Sequence, residues 1–122
     1  MEEILVVDDD KQILRLMEHL LTRRGYTVKT ADNGIEAIRL FDENRRFRLV
    51  ITDIRMPGAD GNQVAKYLKG TEEMKNTPII AISAYPDDAE RDLFDSIVEK
   101  PFSIRELSAL VDSYSGGVNK CE

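Results

Sequence analysis

A chain of 122 residues, 42% hydrophobic and 33% charged, is long enough to form one domain that buries roughly two thirds of its unfolded surface without cross-links. Its lone cysteine, Cys121, excludes an internal disulfide, and its formal charge of −6 argues against direct nucleic-acid binding, which neutralises phosphates with basic side chains. No stretch reaches the roughly twenty apolar residues of a membrane span and no signal-like leader opens the chain, so the expectation is a cytoplasmic protein without membrane contact.

Ile4 to Val7 is a β-branched apolar run that predicts a first strand, and it ends abruptly in Asp8, Asp9 and Asp10. Lys11 to Arg24 follows with Leu14, Met17 and Leu21 at helical spacing, Ile13, Leu16 and Leu20 beside them, and Gly25 as a natural stop. His19 in this helix reads as a partly exposed residue without a function. Tyr26 to Thr30 predicts a second strand. After a turn at Asp32 and Asn33, Gly34 to Asn44 predicts a second helix that buries Ile35, Ile38 and Phe41. Arg45, Arg46 and Arg48 then read as solvated charge favourable to a helix C-terminus. Leu49 to Thr52 is a third strand ending at Asp53, and Asn62 to Lys69 a short helix presenting Val64 and Leu68.

Ile79 to Ser83 is a fourth strand and Ile97 to Val98 a fifth. The interval between Ser83 and Lys100 is tight, and Asp87 to Asp95 has only Ala89, Leu93 and Phe94 to bury, which predicts a shortened or irregular fourth helix. Ser103 and Glu106 stand in capping-box spacing at the head of a last helix that reaches Ser115 and buries Leu107, Leu110 and Val111. Gly116 and Gly117 end it, so residues 1–115 read as the domain and 116–122 as a flexible tail.

The first, third and fourth strands are near-continuous apolar runs, as expected of strands buried on both faces. With the βα alternation they predict an open parallel sheet with helices on both sides, whose ligands bind beyond the C-terminal strand ends. Those ends carry Asp8 and Asp9, Asp53, Ser83 and Lys100. Three carboxylates in one crevice repel one another unless a cation sits among them. An oxygen-only donor set with no His or Cys nearby favours Mg2+ over zinc, and a hydroxyl with an ammonium suits a phosphoryl group.

In the runs "VVDDD", "ITDIRMPGADG", "ISA" and "KPF" the chain resembles the receiver domain of two-component response regulators, from Ile4 to about Tyr114. The resemblance implies a flavodoxin-like doubly wound (βα)5 fold, with a five-stranded parallel sheet in the order 2-1-3-4-5. It also implies that Asp53 is the phosphoacceptor, that Asp8, Asp9, Asp53 and the Arg55 backbone carbonyl hold Mg2+, and that Ser83 and Lys100 engage the phosphoryl group. A cis Lys100-Pro101 bond and a turn through Pro57, Gly58 and Gly61 are implied as well. Asp10 matches the start of the first helix and reads chiefly as its N-cap, with tuning of the pocket charge as the other role.

The implied reaction is attack by Asp53 on the phosphohistidine of a sensor histidine kinase or histidine phosphotransfer protein, followed by altered binding of a downstream protein target. The chain is then a self-phosphorylating signalling domain, monomeric or weakly dimeric, and not a turnover enzyme. Ser83 and Ile97 occupy the family's two switch positions, Ile97 in place of the usual aromatic residue, and the short interval from Ser83 to Lys100 leads to the expectation of signalling through a remodelled or partly ordered fourth helix. Three other readings compete. Asp8 and Asp10 form the Asp-x-Asp of a haloacid-dehalogenase-type phosphatase, but Gln12 departs from that pattern and no cap domain fits. A flavin binder needs a hydroxyl-rich and Gly-rich phosphate loop where this chain is acidic. A receiver fold kept as an interaction module without phosphorylation is the third.

Overall fold

The computed structural model describes residues 3–43 and 46–115. Strands β1 (Glu3–Val7), β2 (Val28–Ala31), β3 (Phe47–Asp53), β4 (Ile79–Ser83) and β5 (Ser96–Glu99) form one parallel sheet in the order β2-β1-β3-β4-β5. The α-helices are α1 (Lys11–Arg23), α2 (Gly34–Asp42), α3 (Gly61–Lys69) and α4 (Ile104–Ser115). The predicted tail with Gly116, Gly117 and Cys121, and Asn44 and Arg45 at the predicted end of the second helix, lie outside the described residues.

Strand alternation assigns the two faces of the sheet. Leu5 and Val7 of β1 and Val50 of β3 join Ala37, Leu40 and Phe41 of α2 and Val64 and Leu68 of α3 in one core. Ile4 and Val6, with Leu49 and Ile51, face the other way onto Leu14, Met17 and Leu21 of α1 and Leu107 and Val111 of α4. Both faces are covered, so β1 and β4 are buried at nearly every position, as their unbroken apolar runs predict.

Local chemistry fixes the helix starts. Asp10 accepts the Gln12 N–H at 2.9 Å, Asn33 accepts that of Glu36 at 2.8 Å, and Asp60 with Gln63 forms a reciprocal capping box. Ser103 accepts the Glu106 N–H at 3.2 Å, the hydroxyl half of the predicted box. Gly25, at φ 99°, ends α1 in the left-handed conformation.

Two expectations need correction. The second strand begins at Val28, because Tyr26 is drawn into the α1–α4 core and donates its hydroxyl to Asp112 at 2.6 Å. In α2 the buried stripe is Gly34, Ala37, Leu40 and Phe41, while Ile35 is 61% exposed. Gly34 sets that rotation, since a Cβ there would lie 2.1 Å from the Ala59 carbonyl oxygen and only glycine allows the helix so close. The shortened or irregular fourth helix expected from the sequence is borne out, since no α-helix joins β4 to β5. Two single-turn 3-10 helices, Pro86–Asp88 and Arg91–Leu93, stand in its place. Ala89 is the buried apolar residue of this acidic stretch and meets Ile54 and Ala81, with Phe94 and Ile97 partly covered beside it. Too little apolar surface is available to anchor a helical face, and the backbone takes its partners elsewhere.

Candidate functional site

The parallel register brings the ends of β1, β3, β4 and β5 to one edge, and every site residue singled out in the sequence except Ile97 arrives there. Asp8, 3% exposed, accepts the Asp10 N–H on Oδ1 and the Lys100 ammonium on Oδ2, both at 2.9 Å. Asp53 is also buried; its Oδ1 accepts the Ile54 N–H at 2.8 Å and its Oδ2 lies 3.4 Å from Lys100 Nζ. Asp9 is exposed, yet Asp8, Asp9 and Asp53 each offer a carboxylate oxygen within 4.8 Å of the others. The Lys100 N–H donates to the Ser83 carbonyl at 2.8 Å, and the bond from Lys100 to Pro101 is cis.

Burial lifts the Asp53 carboxyl above its ordinary range, the Asp8 charge adds to that, and Lys100 and the Ile54 N–H oppose it. For Lys100, burial pulls the other way, but the hydrogen bond to Asp8 and the charges of Asp8 and Asp53 raise it overall. One ammonium therefore pairs with two of the three carboxylates, and the site keeps an excess of negative charge. An all-oxygen, anionic, half-buried cluster of this kind fits Mg2+.

The turn after Asp53 is shaped by two glycines. Gly58, at φ 79°, takes a conformation that L side chains rarely adopt. Gly61 opens α3 against the end of β3, where its N–H donates to the Ile54 carbonyl at 2.8 Å and a Cβ would lie 2.2 Å from the Asp53 carbonyl oxygen.

Ser83 is buried, and its Oγ accepts the Tyr85 N–H at 2.9 Å. Ile97 lies away from the crevice, against the small cluster of Ile54, Ala81 and Ala89. Arg55, foreseen only for its carbonyl, uses its side chain as well: the guanidinium stacks 3.7 Å from the centre of the Tyr85 ring and pairs with Asp88 at 2.5 Å. Asn62, foreseen only as a helix start, donates to the Asp88 carbonyl and accepts the Glu90 N–H, each at 2.9 Å. Sequence offered one hint of this, an aromatic residue two positions beyond the strand-ending serine.

This arrangement agrees with the comparisons to known proteins. The family model described as the response regulator receiver domain matches residues 4–112. The chain belongs to that family. Among solved structures, the receiver is similar to the response regulator TrrA of Thermotoga maritima in complex with Mg2+–BeF, with 37% identity, a TM-score of 0.82, and coverage of 93% of this chain and 99% of that one. Among curated relatives, it is 34% identical to a CpxR homolog of Haemophilus influenzae described as a transcriptional regulatory protein, across 91% of this chain and 49% of the relative. It is 28% identical to the polar-differentiation response regulator DivK of Brucella anthropi, across 94% of this chain and 97% of the relative. The chain thus spans about half the length of the transcriptional regulator and nearly all of DivK. No helix among the described residues of the receiver is long and apolar enough to cross a membrane.

Proposed function

We propose that the receiver takes a phosphoryl group on Asp53 from a phosphohistidine of a sensor histidine kinase or phosphotransfer protein, and so changes its binding to a downstream protein target. The observation that carries this reading is the Lys100 ammonium, 2.9 Å from Asp8 and 3.4 Å from a buried Asp53 at the mouth of a parallel sheet. Asp53 Oδ1 is held by the Ile54 N–H, which leaves Oδ2 as the attacking oxygen. An oxygen–phosphorus bond forms, the phosphorus–nitrogen bond to the imidazole breaks, and the imidazole leaves with the electron pair. Lys100 turns from its carboxylates to the phosphoryl oxygens, and the Ser83 hydroxyl supplies a further hydrogen bond.

Asp8, Asp9, Asp53 and the Arg55 carbonyl would hold Mg2+, which when bound neutralises charge on the transferring group. TrrA, a similar chain, has been crystallised with Mg2+–BeF, and this supports the assignment. The domain acts in this reading as a signalling switch that catalyses its own modification, with Asp53 restored by hydrolysis.

The test is mass spectrometry after incubation with Mg2+ and acetyl phosphate. A single phosphoryl adduct is expected on the native chain and none on Asp53→Asn. An unmodified native chain that is demonstrably folded would instead favour the receiver fold as an interaction module without phosphorylation.

A further inference from the structure

The contacts around Arg55 join the two strand exits nearest the proposed chemistry. Arg55 lies two residues beyond Asp53 and Tyr85 two beyond Ser83, and the guanidinium is stacked on that ring at 3.7 Å while pairing with Asp88. The Tyr85 backbone N–H is given to Ser83 Oγ at 2.9 Å. Asp88 is tied in turn to α3, through its carbonyl and the Asn62 amide. The segment from Tyr85 to Leu93 has one fully buried apolar residue, Ala89, with Leu93 partly buried against the α2–α3 core, and these polar contacts supply much of the rest of its anchoring. Segments of that kind sit at the low-stability end of a fold and open before the rest.

We infer that the Arg55–Tyr85–Asp88 contact is a latch that reports the state of the site, closed when Asp53 is free and open when it is phosphorylated. The inference rests on the reading of Asp53 as phosphoacceptor. Two linked events open the latch. A Ser83 hydroxyl that turns to the phosphoryl group gives up the Tyr85 N–H, so the turn carrying the ring loses its anchor. The phosphoryl group also carries about two negative charges in place of the one on the Asp53 carboxylate, beside the chain position from which Arg55 projects, and so competes with the single carboxylate of Asp88 for the guanidinium. The element that moves is then the helix-free segment between β4 and β5, with its exposed Tyr85 ring. Ile97, an aliphatic residue packed in the small cluster behind, has no part in it.

The chain contains no tryptophan, so Tyr85→Trp at this half-exposed position introduces a single emitting reporter directly under Arg55. Each protein is given Mg2+ and beryllofluoride, a phosphoryl mimic, and followed by tryptophan emission and by thermal melting. The expected result is a rise in Tm together with a shift in the emission of the introduced indole, both absent when Asp53→Asn is added. With Asp88→Ala added in place of Asp53→Asn, the Tm rise remains and the emission starts already moved toward its shifted value. Amide exchange on the unaltered chain should quicken several-fold over residues 85–93 on addition of the mimic and stay unchanged in α1 and α4. A Tm rise without any change in emission or in exchange over residues 85–93 overturns the latch and leaves the phosphoacceptor reading standing. No Tm rise in the unaltered chain overturns both.

Discussion

Replacing Asp53 by Asn should make the metal-free receiver more stable. The isosteric amide keeps an oxygen for the Ile54 N–H and removes one buried charge. At an effective dielectric of about 20, Lys100 at 3.4 Å attracts the Asp53 carboxylate by roughly 5 kcal/mol, and Asp8 within 4.8 Å repels it by roughly 3.5 kcal/mol or more. Asp9 adds a smaller, screened repulsion. The remainder, about 1 kcal/mol of attraction at most, is less than the several kcal/mol that desolvating an ion costs. The balance is therefore unfavourable, in agreement with the raised Asp53 carboxyl. We expect Asp53→Asn to gain about 1–2 kcal/mol, or roughly 5 °C in Tm, at neutral pH in EDTA. The sign with pH follows from the same shift. A carboxyl whose folded-state pKa is raised favours the fold while protonated, and that advantage is lost as pH rises through the folded value. The gap between variant and native chain should therefore open on the alkaline side of the Asp53 titration and close below it, and Mg2+ should narrow it by stabilising only the native chain. A folded variant that melts lower than the native chain at neutral pH in EDTA would refute the reasoning, because Lys100 would then outweigh burial and Asp8 together.

Three further outcomes follow from the same contacts. Lys100→Met leaves Asp8 and Asp53 facing each other and should cost about 2 kcal/mol in urea unfolding, less than a fully buried pair because the lysine is partly exposed; combined with Asp53→Asn the loss should shrink markedly. Gly61→Ala pushes a methyl into the Asp53 carbonyl and should cost about 1–3 kcal/mol, with slower labelling by acetyl phosphate as α3 shifts from the end of β3; a native rate at native stability would contradict the close approach. Asn62→Ala removes both hydrogen bonds to the Asp88 and Glu90 backbone, and about 1–2 kcal/mol of stability should go with them, alongside faster amide exchange confined to residues 86–93.

The site was more legible in the sequence than the helix that packs beside it, for a physical reason. A parallel register forces strand ends to one edge, so Asp8, Asp53, Ser83 and Lys100 could be brought together from the lengths of apolar runs alone. The face of α2 could not. Ile35, Ile38 and Phe41 formed a plausible stripe, and the competing stripe of Ala37, Leu40 and Phe41 won because Gly34 must meet Ala59, a contact between residues far apart in the chain. Likewise the shortage of apolar residues between β4 and β5 announced an irregular helix, but not that two 3-10 turns would be moored through Asn62. Side chains that bond to remote backbone leave no periodic trace.

The same contrast bears on how such a receiver signals. The chemistry of the site demands particular groups at particular strand ends, and here they are all present. The readout demands only an element with two arrangements close in free energy. A helix packed by a full apolar stripe would hold that segment too firmly for a few polar contacts to decide its position. With Ala89 as its one fully buried apolar anchor and Leu93 only partly covered, the Tyr85 to Leu93 segment is governed largely by Arg55, Asp88 and Asn62, whose individual contributions at an exposed surface are small. Differences of that size lie within reach of a single phosphoryl group two residues from Arg55, and no aromatic side chain at position 97 is needed to transmit them.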